Sequence, residues 1–231
     1  VTTLAGATWP DLPERPLLLV PLGAVEQHGH HLPLATDTTV ACAVAEAAVD
    51  VLDGALLAPA LAYGASGEHE DFPGTVSLGT EALTGLLVEY GRSACRWAGR
   101  LVLVNGHGGN LDALRTAGAR LRGEGREVGW FPCAPPGGDA HAGRTETSVM
   151  LHVEPDAVRI DRAVAGDTTP IAELFPRLRA EGVRAVSPTG VLGDPAGASA
   201  REGAALLEGL AGRLAAAVRG WDVDPSGRLR G

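Results

Sequence analysis

The stretch from Glu26 to Asp37 packs unusual chemistry into twelve residues: a carboxylate at Glu26, imidazoles at His28, His30 and His31, and a second carboxylate at Asp37. Carboxylate oxygen and neutral imidazole nitrogen together make up the ligand set taken by zinc, iron and manganese. Glu26 and His28 are two residues apart, so in an extended segment they point the same way and both can reach a metal. Asp37 stands at an expected helix start, where the helix dipole favours an ionised carboxylate. Its two oxygens suit it to bridge two cations. Nothing in the spacing ranks His30 against His31, and loop packing is the simpler reading for both.

Three further clusters carry the same residue types. Ser66, Glu68 and His69 lie in a glycine-rich loop over residues 62–78. His107 sits among glycines in Asn105-Gly106-His107-Gly108-Gly109-Asn110, where small residues let backbone approach an ion or a substrate closely. His141 and Glu146 lie in Asp139-Ala140-His141-Ala142-Gly143-Arg144-Thr145-Glu146. Taken singly, each has a plain reading as a solvated loop residue or, for Glu146, a first-turn glutamate favoured by the helix dipole. Their number is what argues for a centre. Six of the seven histidines fall in these four loops, and only His152 falls within a helix.

The elements that must position these loops read as alternating strands and helices. Apolar runs at Leu17–Leu22, Ala55–Pro59, Leu101–Val104 and Glu127–Phe131 predict strands. Helices are expected over 37–53, 80–97, from Asn110 to Gly123 or Gly125, 145–152, 170–181 and 200–218. The residues Ser187–Pro195 read as a loop. Short, continuously apolar strands alternating with helices predict a three-layer αβα sandwich around a mainly parallel sheet. In such sheets, sites form beyond the carboxyl ends of the strands, and all four clusters follow expected strands. One domain over residues 1–231 is expected, with 222–231 as a loose polar tail.

Composition narrows the partners. Apolar residues make up 45% of the 231 and charged residues 20%, which predicts a folded core rather than disorder. The net charge of −9, with all 19 basic residues arginine, argues against nucleic acid. Three scattered cysteines, Cys42, Cys95 and Cys133, form no zinc signature and no disulfide framework. No apolar run approaches 18 residues, so a cytoplasmic protein with no membrane partner is expected. A serine hydrolase using Ser66 and His141 is a rival reading. The His107-Gly108-Gly109 turn resembles an oxyanion-hole loop, but Gly64-Ala65-Ser66-Gly67-Glu68 ends in glutamate where a nucleophile elbow needs glycine.

Taken together, Glu26-Gln27-His28-Gly29 with Asp37, Ser66-Gly67-Glu68-His69 with Phe72-Pro73-Gly74-Thr75, Asn105 to Asn110, and His141-Ala142-Gly143 with Glu146-Thr147-Ser148 resemble the creatininase family of metal-dependent amidohydrolases. They occur in family order over residues 20 to about 150. The resemblance implies two divalent ions (zinc, iron or manganese). Glu26 and His107 would hold one, His28 and Glu146 the other, with Asp37 bridging. Gly109 stands where creatinine-hydrolysing members carry a glutamate. The resemblance further implies His141 as the acid/base residue, Ser66, Glu68 and His69 near the substrate, a hydroxide bridging the ions, and a homo-oligomer. The Ala62 to His69 and His141 to Ser148 segments look like a peptide-trimming branch. Its expected substrate is a modified precursor peptide losing a C-terminal Val-Tyr dipeptide. A small cyclic amide or formamide is the alternative substrate, and a non-catalytic binding protein a further one.

Overall fold

The computed structural model describes residues 3–230. Its centre is a four-stranded sheet built from β1 (Leu17–Leu22), β2 (Ala55–Leu57), β3 (Arg100–Asn105) and β4 (Val128–Pro132). The strand order is β2-β1-β3-β4, and every pairing among them is parallel. Parallel strands need crossovers, and helices supply them: α1 (Thr36–Val49), α2 (Thr80–Ala94) and α3 (Leu111–Gly123).

Period-two alternation divides the strand side chains between two cores. Leu19, Val102, Val104 and Phe131 face α1 together with α4 (Arg144–Val153) and α7 (Ala200–Gly220). Leu18, Val20, Leu22, Leu101, Leu103 and Trp130 face α2 and α3. Both sheet faces are therefore covered, which is why the strands read as unbroken apolar runs. The result is the expected three-layer αβα sandwich. A smaller cluster joins Leu174, Leu178, Val183 and Leu192 with Phe72. Through it, α5 (Ile171–Glu181) and α6 (Val183–Val186) pack over the loop that carries Ser66 and His69.

Several boundaries move by a few residues. The first helix stops at Val49 rather than running to residue 53, and the second starts with Thr80 inside it and Gly79 as its N-cap. Only α7 has a side-chain N-cap hydrogen bond among the described helices, from Glu202 N to Ser199.

The expectation of a loose tail at 222–231 is corrected over its described part. Trp130 N donates to Gly227 O at 2.8 Å and Leu229 N to Trp130 O at 2.9 Å, so the segment lies along the outer edge of β4. Leu229 is buried in the core beneath it. An exposed parallel edge leaves unpaired backbone groups, and this segment pairs some of them.

The order β2-β1-β3 reverses direction between β1 and β3, creating a topological switch point. Crevices at such points open at the carboxyl ends of the strands. Two glycines bring α1 down onto that crevice. A Cβ at Gly23 would fall 2.5 Å from Thr38 Cα, and one at Gly106 would fall 2.2 Å from Asp37 O. With no side chain at either position, the first turn of α1 seats directly on the ends of β1 and β3.

Candidate metal centre

The four clusters meet at this crevice. Glu26 and His28 come from the loop after β1, Asp37 from the first turn of α1, His69 from the loop after β2. His107 follows β3, His141 lies between β4 and α4, and Glu146 is in the first turn of α4. Asn110 stitches the loops together. Its Oδ1 accepts from Ala65 N at 2.9 Å, and its Nδ2 donates to Gly23 O at 3.1 Å and to Asn105 Oδ1 at 3.0 Å.

Asp37 lies between two imidazoles, with Oδ1 3.1 Å from His28 Nε2 and Oδ2 3.4 Å from His107 Nδ1. A carbonyl only accepts, so each ring's bond to backbone identifies one nitrogen that carries a proton. His28 Nδ1 donates to Glu26 O at 3.1 Å, which turns Nε2 toward Asp37. His107 Nε2 donates to Ala65 O at 3.0 Å, which turns Nδ1 toward the other Asp37 oxygen. Glu146 Oε2 stands 3.9 Å from His28 Nε2 and accepts from Ala142 N at 2.6 Å. Glu26 lies at the centre: Oε2 is 3.2 Å from His107 Nε2, and Oε1 is 3.3 Å from His69 Nε2 and 3.7 Å from His141 Nδ1.

These groups fit divalent cations. Both Glu26 oxygens and Asp37 Oδ2 are buried with no hydrogen-bond partner, a costly state for a carboxylate unless a cation takes the lone pairs. Donors about 2.1 Å from a tetrahedral ion lie roughly 3.4 Å apart, which is the scale of the separations here. Three residue groups offer ligand atoms within 4.8 Å of one another: Glu26 with His28 and Asp37; His28 with His141 and Glu146; Glu26 with His69 and His141. His107 joins none of these three, yet it faces Asp37 directly.

Burial is the largest influence on every ionisable group in the crevice, and the neighbours decide the outcome. It works against charge on His28, but Asp37, Glu146 and Glu26 push that ring up to about 9. Likewise Glu26, Asp37 and Glu68 overcome burial and push His107 up to about 10. Burial, reinforced by His28 and His69, holds His141 well below its ordinary value. It also takes His69 down to about 4 against the pull of Glu26. Both rings are therefore neutral. Glu26 is lowered because His107, His69 and His141 outweigh burial, whereas burial raises Asp37 and takes Glu146 to about 7.

The remaining candidates fall at or beside the crevice. Ser66 Oγ lies 3.3 Å from His107 Nε2, so the serine faces His107 rather than the His141 required by a Ser66/His141 hydrolase. Glu68 Oε1 lies 3.7 Å from His107 Nε2 and is 30% exposed at the rim. His30 is exposed, while His31 is buried and bonds Thr147 Oγ1 at 2.9 Å, the packing role expected for it. Gln27 stands in the Glu26-Gln27-His28-Gly29 motif with no role legible in the sequence, since an isolated amide between two ligand-type residues carries no chemical signal of its own. It is 5% exposed and touches both His69 and His141.

An αβα sandwich with carboxylates and imidazoles gathered at its switch point defines a metal-dependent hydrolase. The profile of the creatininase family, described as creatinine amidohydrolase, matches residues 5–218, and the chain belongs to that family. It is 55% identical over 219 residues to a mycofactocin precursor peptide peptidase of Mycolicibacterium smegmatis, covering 93% of this chain and 89% of that one. A solved manganese form of creatininase superposes with a TM-score of 0.77 at 30% identity, covering 95% of this chain and 98% of the other. A zinc–zinc form of a creatininase mutant gives 0.76 at 30% identity, covering 95% and 97%. Among the described residues, no helix is long and apolar enough to cross a membrane.

Proposed function

We propose that this chain is a metal-dependent peptidase that releases the C-terminal Val-Tyr dipeptide from the modified mycofactocin precursor peptide. The observation that carries the chemistry is Asp37, whose two oxygens each face an imidazole nitrogen, one of His28 and one of His107. In this reading Glu26, His107 and Asp37 would hold one ion, and His28, Glu146 and Asp37 the other. When bound, the cation pair makes hydroxide available near neutral pH and polarises a carbonyl oxygen.

The chain's own groups handle the proton. His141 Nε2 donates to Gln27 O at 2.8 Å, which leaves Nδ1 bare, 3.7 Å from Glu26 Oε1. That nitrogen takes the proton from the attacking water and delivers it to the leaving nitrogen, a role worth on the order of 10²–10⁴ in rate. The peptide end lies along Ser66, Glu68 and His69. Two features support a peptide rather than a small ring: the likeness to the named peptidase, and Pro135-Pro136-Gly137-Gly138-Asp139, which carries no tryptophan to close over a small substrate.

Purified protein incubated with modified precursor should yield the shortened peptide and free dipeptide by mass spectrometry. A chelator should stop the reaction and added metal restore it. Turnover of creatinine but not the peptide would overturn the substrate, and activity that survives chelation would overturn the mechanism.

The same reading takes the protein as a homo-oligomer. Leu78 N donates to Gly64 O at 2.8 Å, so exposed Tyr63, Val76 and Leu78 lie on neighbouring segments, and their apolar surface supports self-association. Sedimentation as a monomer would remove this element.

A further inference from the structure

Gln27 lies between two proposed metal ligands but serves neither. Its side-chain amide is oriented by two partners of known polarity. Gly29 N donates to Oε1 at 2.9 Å, which identifies that atom as the oxygen. Nε2 donates to Gly190 O at 3.0 Å, which identifies it as the NH2. The pocket is shaped to this amide: Gly190 has φ +81°, and a Cβ there would fall 1.8 Å from Gln27 Oε1.

The amide has a second N–H, and two ring nitrogens lie within its reach, His69 Nδ1 at 2.9 Å and His141 Nε2 at 3.1 Å. His141 Nε2 already donates its proton to the main-chain oxygen of Gln27 at 2.8 Å and has no lone pair to offer. The second N–H therefore goes to His69 Nδ1. That leaves the His69 proton on Nε2, the nitrogen that faces Glu26 Oε1 at 3.3 Å. One residue thus sets two rings. Its backbone turns the bare Nδ1 of His141 toward the crevice, and its side chain turns a protonated His69 nitrogen, rather than a lone pair, toward Glu26.

We propose that Gln27 is the positioning residue that fixes the tautomers of His69 and His141, keeping His69 Nε2–H turned toward the Glu26 carboxylate and His141 Nδ1 free to move a proton. The tautomers stand on hydrogen-bond geometry alone. Their effect on turnover rests on the peptidase reading above.

The test is two-bond proton–nitrogen correlation NMR on zinc-loaded, ¹⁵N-histidine-labelled protein, with metal content and kinetics measured on the same samples. Wild type should show both His69 and His141 protonated on Nε2. In Gln27→Glu a carboxylate of the same size can only accept, so His69 should move its proton to Nδ1. His141, held by the backbone, should stay as it was. In Gln27→Met, His69 should show a mixture of both forms. Partners that orient such rings contribute about 10–100-fold. In both variants kcat should therefore fall by that order, with KM and zinc content near wild type.

A wild-type spectrum with His69 or His141 protonated on Nδ1 would overturn the proposal, and that reading needs no variant to fold. An unchanged His69 in a folded Gln27→Glu protein would overturn it too. The expected tautomers in a protein that cleaves no peptide would sink the peptidase reading and leave the role of Gln27 standing.

Discussion

Glu26 and Glu146 are both carboxylates drawn into the same crevice, and their surroundings push them in opposite directions. Glu26 has three imidazoles around it, His107, His69 and His141, and His107 above all holds it ionised despite its burial. Glu146 has burial and the charges of Asp37 and Asp139 against it and His28 in its favour, and it rises to about 7. The protein alone compensates charge on the Glu26 side. On the Asp37–Glu146 side it does not, so that side holds protons until cations replace them. Metal binding there displaces protons and weakens as pH falls.

The largest test removes the residue that joins the two sides. Asp37→Ala should strip metal from the protein and cost more than about 10³-fold in kcat/KM, roughly 4 kcal/mol of transition-state stabilisation. A variant that kept both ions would show that the sides are independent. His141→Ala should come next. Its ring lies 4.3 Å from that of His28 and also borders Glu26. Loss of this ring should slow kcat by about 10²–10⁴-fold with metal retained. If the ions left as well, His141 would be a ligand instead.

A more direct comparison sets Glu26→Gln against Glu146→Gln. Each should lower metal content, with losses in affinity of about 10–100-fold. Only Glu146→Gln should also flatten the pH dependence of binding between about pH 5 and 8. Equal slopes in a metal titration would erase the distinction drawn here.

The smallest effect should appear in the stability of chelated protein. His28 and His107 are raised to about 9 and about 10. Their contribution is full below the unfolded histidine pKa of about 6.5 and is lost as pH rises through those values. Glu146, raised to about 7, contributes below the unfolded glutamate value of about 4.3 and loses that as pH climbs through 7. All three have the same sign. The melting temperature of the chelated protein should therefore decline by several degrees from pH 6.5 to 10, and that of the loaded protein much less. A chelated protein that grew more stable over this range would contradict the assignment of protons to this side.

Much of the sheet was legible from local pattern. Leu17–Leu22 and Leu101–Val104 are apolar on both faces, and only a strand with both faces covered reads that way. The edge was harder. Residues 222–230 look like solvent-loving chain because their pairing exists only once β4 presents its backbone, with Leu229 as the one deep anchor. The cover that α5 and α6 place over the Ser66 loop was equally silent. It depends on Phe72 meeting Leu174 and Val183 across a hundred residues of chain.

The ligand-type residues and the rim on which they gather follow from sequence alone, because a parallel sheet sends every strand-to-helix loop to the same edge. What only the tertiary structure decided is which imidazole meets which carboxylate, and through which nitrogen. Those facts depend on separations of 3 to 4 Å between loops distant in the chain, and on backbone carbonyls that select each tautomer. The sequence lists the donors. Burial sets how strongly each feels its neighbours, and burial exists only after the layers have closed.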